Sequence, residues 1–134
     1  MAKVLEALIA KGRRAKRPRE QKEVAFGLAD LSTHEELHER IVKKGGVKSL
    51  IYLIENSPDN EAQRFAALAL ANCGSAVYNR VPIANAKAIP SLIRYIKDDD
   101  ADLIARQYCA MALGNLAAEP ENHEEVKFKD ITYI

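Results

Sequence analysis

A chain of 134 residues, 48% hydrophobic and 29% charged, is long enough to bury one core, and no stretch of it reaches the roughly 18 apolar residues that a membrane helix needs. The basic N-terminus lacks the apolar segment and cleavage site of a secretory leader, and two cysteines within alanine-rich sequence do not make a disulfide framework, so an intracellular, cytoplasmic rather than nuclear, setting is expected. A net charge of +1 conceals a division: residues 1–22 carry eight Lys or Arg against two Glu, and residues 97–125 carry eight Asp or Glu against two cations.

In chain order, residues 2–10 place Val4, Leu5, Leu8 and Ile9 at helical spacing and predict a short amphipathic helix. Lys11, Arg13, Arg14, Lys16, Arg17 and Arg19 follow in what reads as a dense basic loop. Residues 23–31, EVAFGLADL, open a longer helix, and STHEELHERIVKKGGV then leads to a medium helix at VKSLIYLI. A polar connection, ENSPDNEAQ, precedes the second long phrase, RFAALALANC. The pattern runs once more through GSAVYNRVPIANAKAI, a medium helix IPSLIRYI with Pro90 in its first turn, the acidic KDDDADLIAR and a third long phrase, RQYCAMALGNL. The first polar connection, KGRRAKRPREQ, reads as about three residues longer than its successor.

The three long phrases recur at a spacing of 42 to 43 residues. A period in this range marks a repeat architecture, in which each unit buries its apolar face only against its neighbours. Each phrase carries one stripe of small and apolar side chains: Val24, Ala25, Gly27, Leu28 and Leu31; Ala66, Ala67, Ala69, Leu70 and Cys73; Cys109, Ala110, Ala112, Leu113 and Leu116. Small residues on the stripe let neighbouring helices approach closely. Ile41, Ile83 and Val126 align between units, as do Gly46, Ala88 and Ile131. The repeat predicts an all-α domain over 1–134, with units near 1–45, 46–87 and 88–130 and a fourth beginning at 131–134.

The phrase AALALANC followed by NRVPIANAKAIPSLI, and CAMALGNL followed by ENHEEV, resembles the armadillo repeat. The resemblance implies a right-handed α-α superhelix of about three repeats with incomplete ends, and a groove along the third helices that binds a partner segment. The first unit departs from the pattern, with Asp30 for the Asn and Leu37 where Asn79 and Asn122 stand. HEAT repeats are the alternative architecture.

Asp30, Asn72 and Asn115 form a ladder with one polar side chain per unit, and an Asn amide offers both donor and acceptor to an extended backbone. In armadillo proteins that is the role the resemblance implies for this Asn. Phe26, Phe65, Leu68, Tyr108 and Met111 flank the ladder and favour apolar partner side chains; the chain has no Trp, which points away from nuclear-import cargo. His34-Glu35-Glu36-Leu37-His38 satisfies the H-E-x-x-H spacing of a zinc-protease helix, but it occupies an ordinary short-helix slot of the repeat and is expected to be solvated. No phosphate-binding loop, dinucleotide fingerprint or nucleophile elbow occurs, so no catalytic residue, metal site or cofactor is expected. The expected function is a non-enzymatic scaffold for a protein or peptide partner. The alternative is an adaptor docking anionic lipid or nucleic acid through the Lys11 to Arg19 segment, with nucleic acid disfavoured and membrane contact only indirect. The unlike-charged ends also allow head-to-tail self-association.

Overall fold

The structure, a computed structural model, describes residues 2–126. Among them are eight α-helices and no strand: α1 (Ala2–Arg14), α2 (Pro18–Leu31), α3 (His38–Lys43), α4 (Gly46–Asn56), α5 (Asn60–Gly74), α6 (Arg80–Asn85), α7 (Ala88–Lys97) and α8 (Leu103–Ala117). A single 3₁₀ turn follows each long helix, at Glu35–Leu37, Val77–Asn79 and Pro120–Asn122. No helix among the described residues is long and apolar enough to cross a membrane. The medium helices α1, α4 and α7 pack serially in one row, and the long helices α2, α5 and α8 in a second row beside it.

Local chemistry sets the boundaries. Pro18 opens α2, where its missing N–H has no intrahelical acceptor to lose. The Asp59 carboxylate accepts from Glu61 N and Ala62 N to cap α5, and Asp102 accepts from Ala105 N to cap α8. The turns into α4 and α7 pass through left-handed backbone at Gly45 (φ 86°) and Lys87 (φ 71°). Glycine takes that conformation freely, whereas the Lys87 side chain holds it against a steric cost.

The stripe residues form the core, except that Gly27 and Ala110 are only half-buried. Ala66, Ala67, Ala69, Leu70 and Cys73 on α5 are buried, as are Cys109, Ala112, Leu113 and Leu116 on α8 and Val24, Ala25, Leu28 and Leu31 on α2. Leu50, Leu53, Ile89 and Leu92 of α4 and α7 close the space between the rows. Each large side chain removed from water in this way contributes about 1.5 to 3 kcal/mol before conformational entropy is subtracted. Ile41, Ile83 and Val126 are buried in register, as are Gly46 and Ala88; Ile131 and the start of a fourth unit lie outside the described residues. Burial pushes both free thiols, Cys73 and Cys109, up to about 12, so they serve as small apolar groups.

Two sequence expectations are corrected. The first helix does not stop at residue 10 but continues to Arg14, and the connection after it is as short as the one between α4 and α5. Packing supplies the reason: Gly12 is buried so closely that an added Cβ would lie 3.1 Å from Ser49 Cβ and 3.1 Å from Val24 Cγ1, which anchors the extra turn until Pro18 enforces a new start.

The connections are clamped alike. Gln21 Nε2 donates to Ala15 O at 2.9 Å, Gln63 Nε2 to Ser57 O at 2.7 Å and Arg106 Nε to Ile96 O at 3.1 Å. Tyr95 Oη donates to Gln63 Oε1 at 2.6 Å. Gln21 Oε1, by contrast, is buried without a hydrogen-bond partner among the described residues, because Leu53 holds the place that Tyr95 takes one unit later.

Candidate functional site

The amides of the ladder lie at the seams between long helices. Asn115 Nδ2 on α8 donates to Ala71 O of α5 at 3.0 Å, and Asn72 Nδ2 on α5 donates to Ser32 Oγ beside the end of α2 at 3.0 Å. Both side chains are half-buried. One N–H of each amide therefore ties its helix to the preceding unit, and the carbonyl oxygen and second N–H hydrogen make no other side-chain bond among the described residues. Asp30 occupies the same slot on α2 and is exposed, with no long helix stacked before it among the described residues.

The bond to Ala71 O belongs to a complete closure of the end of α5. The last four carbonyls of a helix have no partners within it. Ser75 N turns to Asn72 O at 3.2 Å, which leaves Ala71 O to Asn115; Asn79 Nδ2 takes Cys73 O at 3.1 Å and Arg80 Nε takes Gly74 O at 3.0 Å. The same closure follows α8, where Asn122 Nδ2 reaches Leu116 O at 2.9 Å and His123 Nε2 reaches Ala117 O at 2.9 Å. After α2, His38 Nε2 donates to Ser32 O at 2.7 Å.

This assigns His38 a structural role and corrects, at that residue, the expectation that the H-E-x-x-H segment is solvated; His34, Glu35 and Glu36 are exposed. His38 is buried and bonded through Nε2, in the slot that Arg80 and His123 fill in later units. His34 is an exposed residue preceding the 3₁₀ turn, with Nδ1 3.7 Å from Glu36 Oε1. The two imidazoles thus do not sit one α-helical turn apart on a shared helix. The capping row was present in the sequence as aligned polar residues, but nothing in residue type alone signals that an Asn, an Arg and a His perform the same task.

Of the flanking apolar positions, the structure brings Phe26 and Phe65 together edge to face, with ring centroids 5.2 Å apart and planes at 82°. Such a pair is worth about 0.5 to 1.5 kcal/mol beyond its area. Phe26 remains 56% exposed, and the pair borders a recess of about 430 Å³ rimmed by Arg19, Lys22, Glu23 and Glu61. Leu68 and Tyr108 are half-buried, and Met111 is 53% exposed on α8. Met111 and Asn115 share a second recess.

The basic segment is not a loop. Lys11, Arg13 and Arg14 form the last turn of α1, where cations complement the carbonyl end of the helix, and Arg19 lies in the first turn of α2. Lys11 Nζ and Arg19 Nε approach the Glu23 carboxylate at 4.0 and 3.5 Å, Arg17 Nε approaches Glu20 at 3.8 Å, and Arg13 donates to Gly45 O at 3.4 Å. Two glutamates and a backbone carbonyl thus offset part of the patch. Further along, Arg64 forms a two-pronged ion pair with Asp102, both bonds at 2.7 Å, joining α5 to the cap of α8. The Arg64 hydrogen bonds hold the Asp102 carboxyl at about 2, well below its ordinary range.

Solved structures share this arrangement. Three engineered proteins, with crystal structures from the Northeast Structural Genomics Consortium, match 96% of the chain: one with TM-score 0.76 at 29% identity, a second with 0.77 at 25%, and a third with 0.75 at 30%. The chain spans 49%, 50% and 30% of their respective lengths. No protein-family model and no curated protein sequence matches. The likeness establishes an all-helical, repeat-like fold.

Proposed function

We propose that the chain is an armadillo-type scaffold, a right-handed superhelix of about three repeats, that holds an extended segment of a protein partner along the face shared by α2, α5 and α8, without catalysing a reaction. The observation that carries this reading is the exposed Phe26 ring packed on the half-buried Phe65 beside an open recess, in the slots that flank the amide ladder. Large exposed apolar groups gathered at one place mark interaction surfaces more often than singly scattered ones do. The partner's apolar side chains would seat against Phe26, Phe65, Leu68, Tyr108 and Met111. Its backbone would meet the Oδ1 atoms and remaining N–H groups of Asn72 and Asn115, whose other N–H bonds set their position. Two such rungs contribute about 1 to 3 kcal/mol, while micromolar binding needs roughly 8, so the aromatic slots must supply most of the affinity. The pairing of Lys11, Arg17 and Arg19 with glutamates favours this reading over docking on phosphate.

Selection from a random peptide library, followed by amide chemical-shift mapping of a selected peptide, tests the proposal. The expected result is a set of shifts along the second halves of α2, α5 and α8, with at least about tenfold weaker binding when Phe26 and Phe65 are both replaced by Ala. Shifts confined to α1, α4 and α7, or binding indifferent to the double substitution, would overturn it.

A further inference from the structure

We propose that the protein self-associates head to tail, the α7–α8 end of one copy receiving the α1–α2 end of the next, and that Asp30 holds this association weak. The inference does not depend on the groove.

The contacts inside the chain show what a stacking face looks like. α5 presents Arg64, the Ala71 carbonyl and Gly74 to α8, which answers with Asp102 and Asn115. One period later the same positions on α8 are Gln107, Gly114 and Ala117. Gln107 is exposed and Gly114 and Ala117 are half-buried, with no long helix stacked beyond them among the described residues. A Cβ added at Gly114 would meet nothing within 4 Å. Gln107, Ala110, Met111, Gly114 and Asn115 instead line an open recess of about 450 Å³, the space a following long helix would fill. At the opposite end, α1 leaves Val4 57% exposed, while Phe26 turns the other way, against Phe65 of α5.

Charge selects the occupant. The connection between α1 and α2 is the same structural element as the connection between α7 and α8, two units apart. The first, with its flanking turns, exposes Arg14 and Lys16 beside the glutamate-paired Arg17 and Arg19; the second exposes Asp98 and Asp100 beside Asp99, which lies 3.7 Å from Arg106. Stacking a second copy in the internal register sets these two connections side by side, basic against acidic. The same step covers Met111 and Gly114 with the outer face of α2. A second copy of this chain therefore supplies the charge that the open end lacks and a long helix to fill its recess.

One residue opposes the union. In that register Asp30 of the incoming copy takes the slot of Asn72 and Asn115 and faces the Gly114 carbonyl, which already accepts from Ala118 N at 3.2 Å. An ionised carboxylate has no hydrogen to donate, so two acceptors meet where the internal seam has a bond.

Sedimentation of the full chain over a wide concentration range, at about 20 mM and about 500 mM salt, tests this, because exposed charges are screened within ~4 Å at the higher value. Average mass should rise with concentration at low salt and fall back towards the monomer at high salt. Asp30→Asn should tighten association about five- to tenfold, the worth of one neutral hydrogen bond. Gly114→Arg should abolish growth of the chain, and because arginine favours helix over glycine, its circular dichroism should match the parent's. Mixed with the parent, Gly114→Arg should cap growth, since it can still donate its α1–α2 end. A monomer at every concentration in low salt, an association unmoved by Asp30→Asn, or one that survives Gly114→Arg overturns the proposal.

Discussion

Replacing Asn115 by Ala removes the hydrogen bond that ties the α8 ladder position to α5, and its cost follows from what is left behind. The lost bond is neutral, 3.0 Å long and half-buried, worth about 0.5 to 1.5 kcal/mol. Its acceptor, Ala71 O, has no substitute near by, because Ser75 N is engaged with Asn72 O at 3.2 Å. Leaving that carbonyl short of a donor adds about 1 kcal/mol, and the better helix propensity of alanine returns up to about 0.7. The net expectation is a loss of about 1 to 2 kcal/mol. Asn72→Ala should cost less, near zero to about 1 kcal/mol, since its acceptor is the Ser32 hydroxyl, which still donates to Ala29 O at 2.7 Å. Asn115→Asp should be the worst, about 2 to 3 kcal/mol, because it sets a carboxylate against a carbonyl in the last turn of a helix. Urea titration followed by circular dichroism, comparing midpoints at constant slope, reads all three. If Asn115→Asp unfolds at the same midpoint as the parent, or Asn72→Ala is the most damaging of the set, the brace is not what holds this seam.

Two further perturbations follow from local geometry. Lys87→Gly should raise the stability by about 0.5 to 1 kcal/mol by relieving left-handed backbone, while Gly45→Ala at the equivalent turn should lower it by about 1 kcal/mol or more; thermal melts that move in the same direction for both would contradict the repeat equivalence. The Asp102 carboxyl sits at about 2 in the folded chain against an ordinary 3.8, so its contribution to stability is fully present above 3.8 and is lost as pH falls through about 2. Asp102→Asn should therefore lose less stability than the parent between pH values of about 5 and 2, measured as urea midpoints, and parallel acid limbs would refute the assigned role of the Arg64 pair.

Much of the helical plan was readable from periodicity alone. The stripe of Ala66, Ala69, Leu70 and Cys73 recurs at Cys109, Ala112, Leu113 and Leu116, and both sets are buried because a helix with that spacing has only one apolar face to hide. The extent of α1 was misread because the charges of residues 11–14 suggested a loop, while the decisive fact, the close approach of Gly12 to Ser49 and Val24, joins residues far apart in the chain. His38 shows the same limit. Its spacing to His34 matches a metal motif, yet its bond to Ser32 O depends on how the chain turns after α2.

The amino-acid sequence by itself determined the order of the medium and long helices, their buried faces and the opposed charge of the two ends, because these depend on residue type at a fixed local period. Only the tertiary structure decided where each polar group spends its hydrogen bonds: Asn115 on Ala71 O, His38 on Ser32 O, Arg64 on Asp102. An Asn carries the same donors and acceptor wherever it stands, and which of them remain for a partner depends on the neighbouring helix that folding brings within 3 Å.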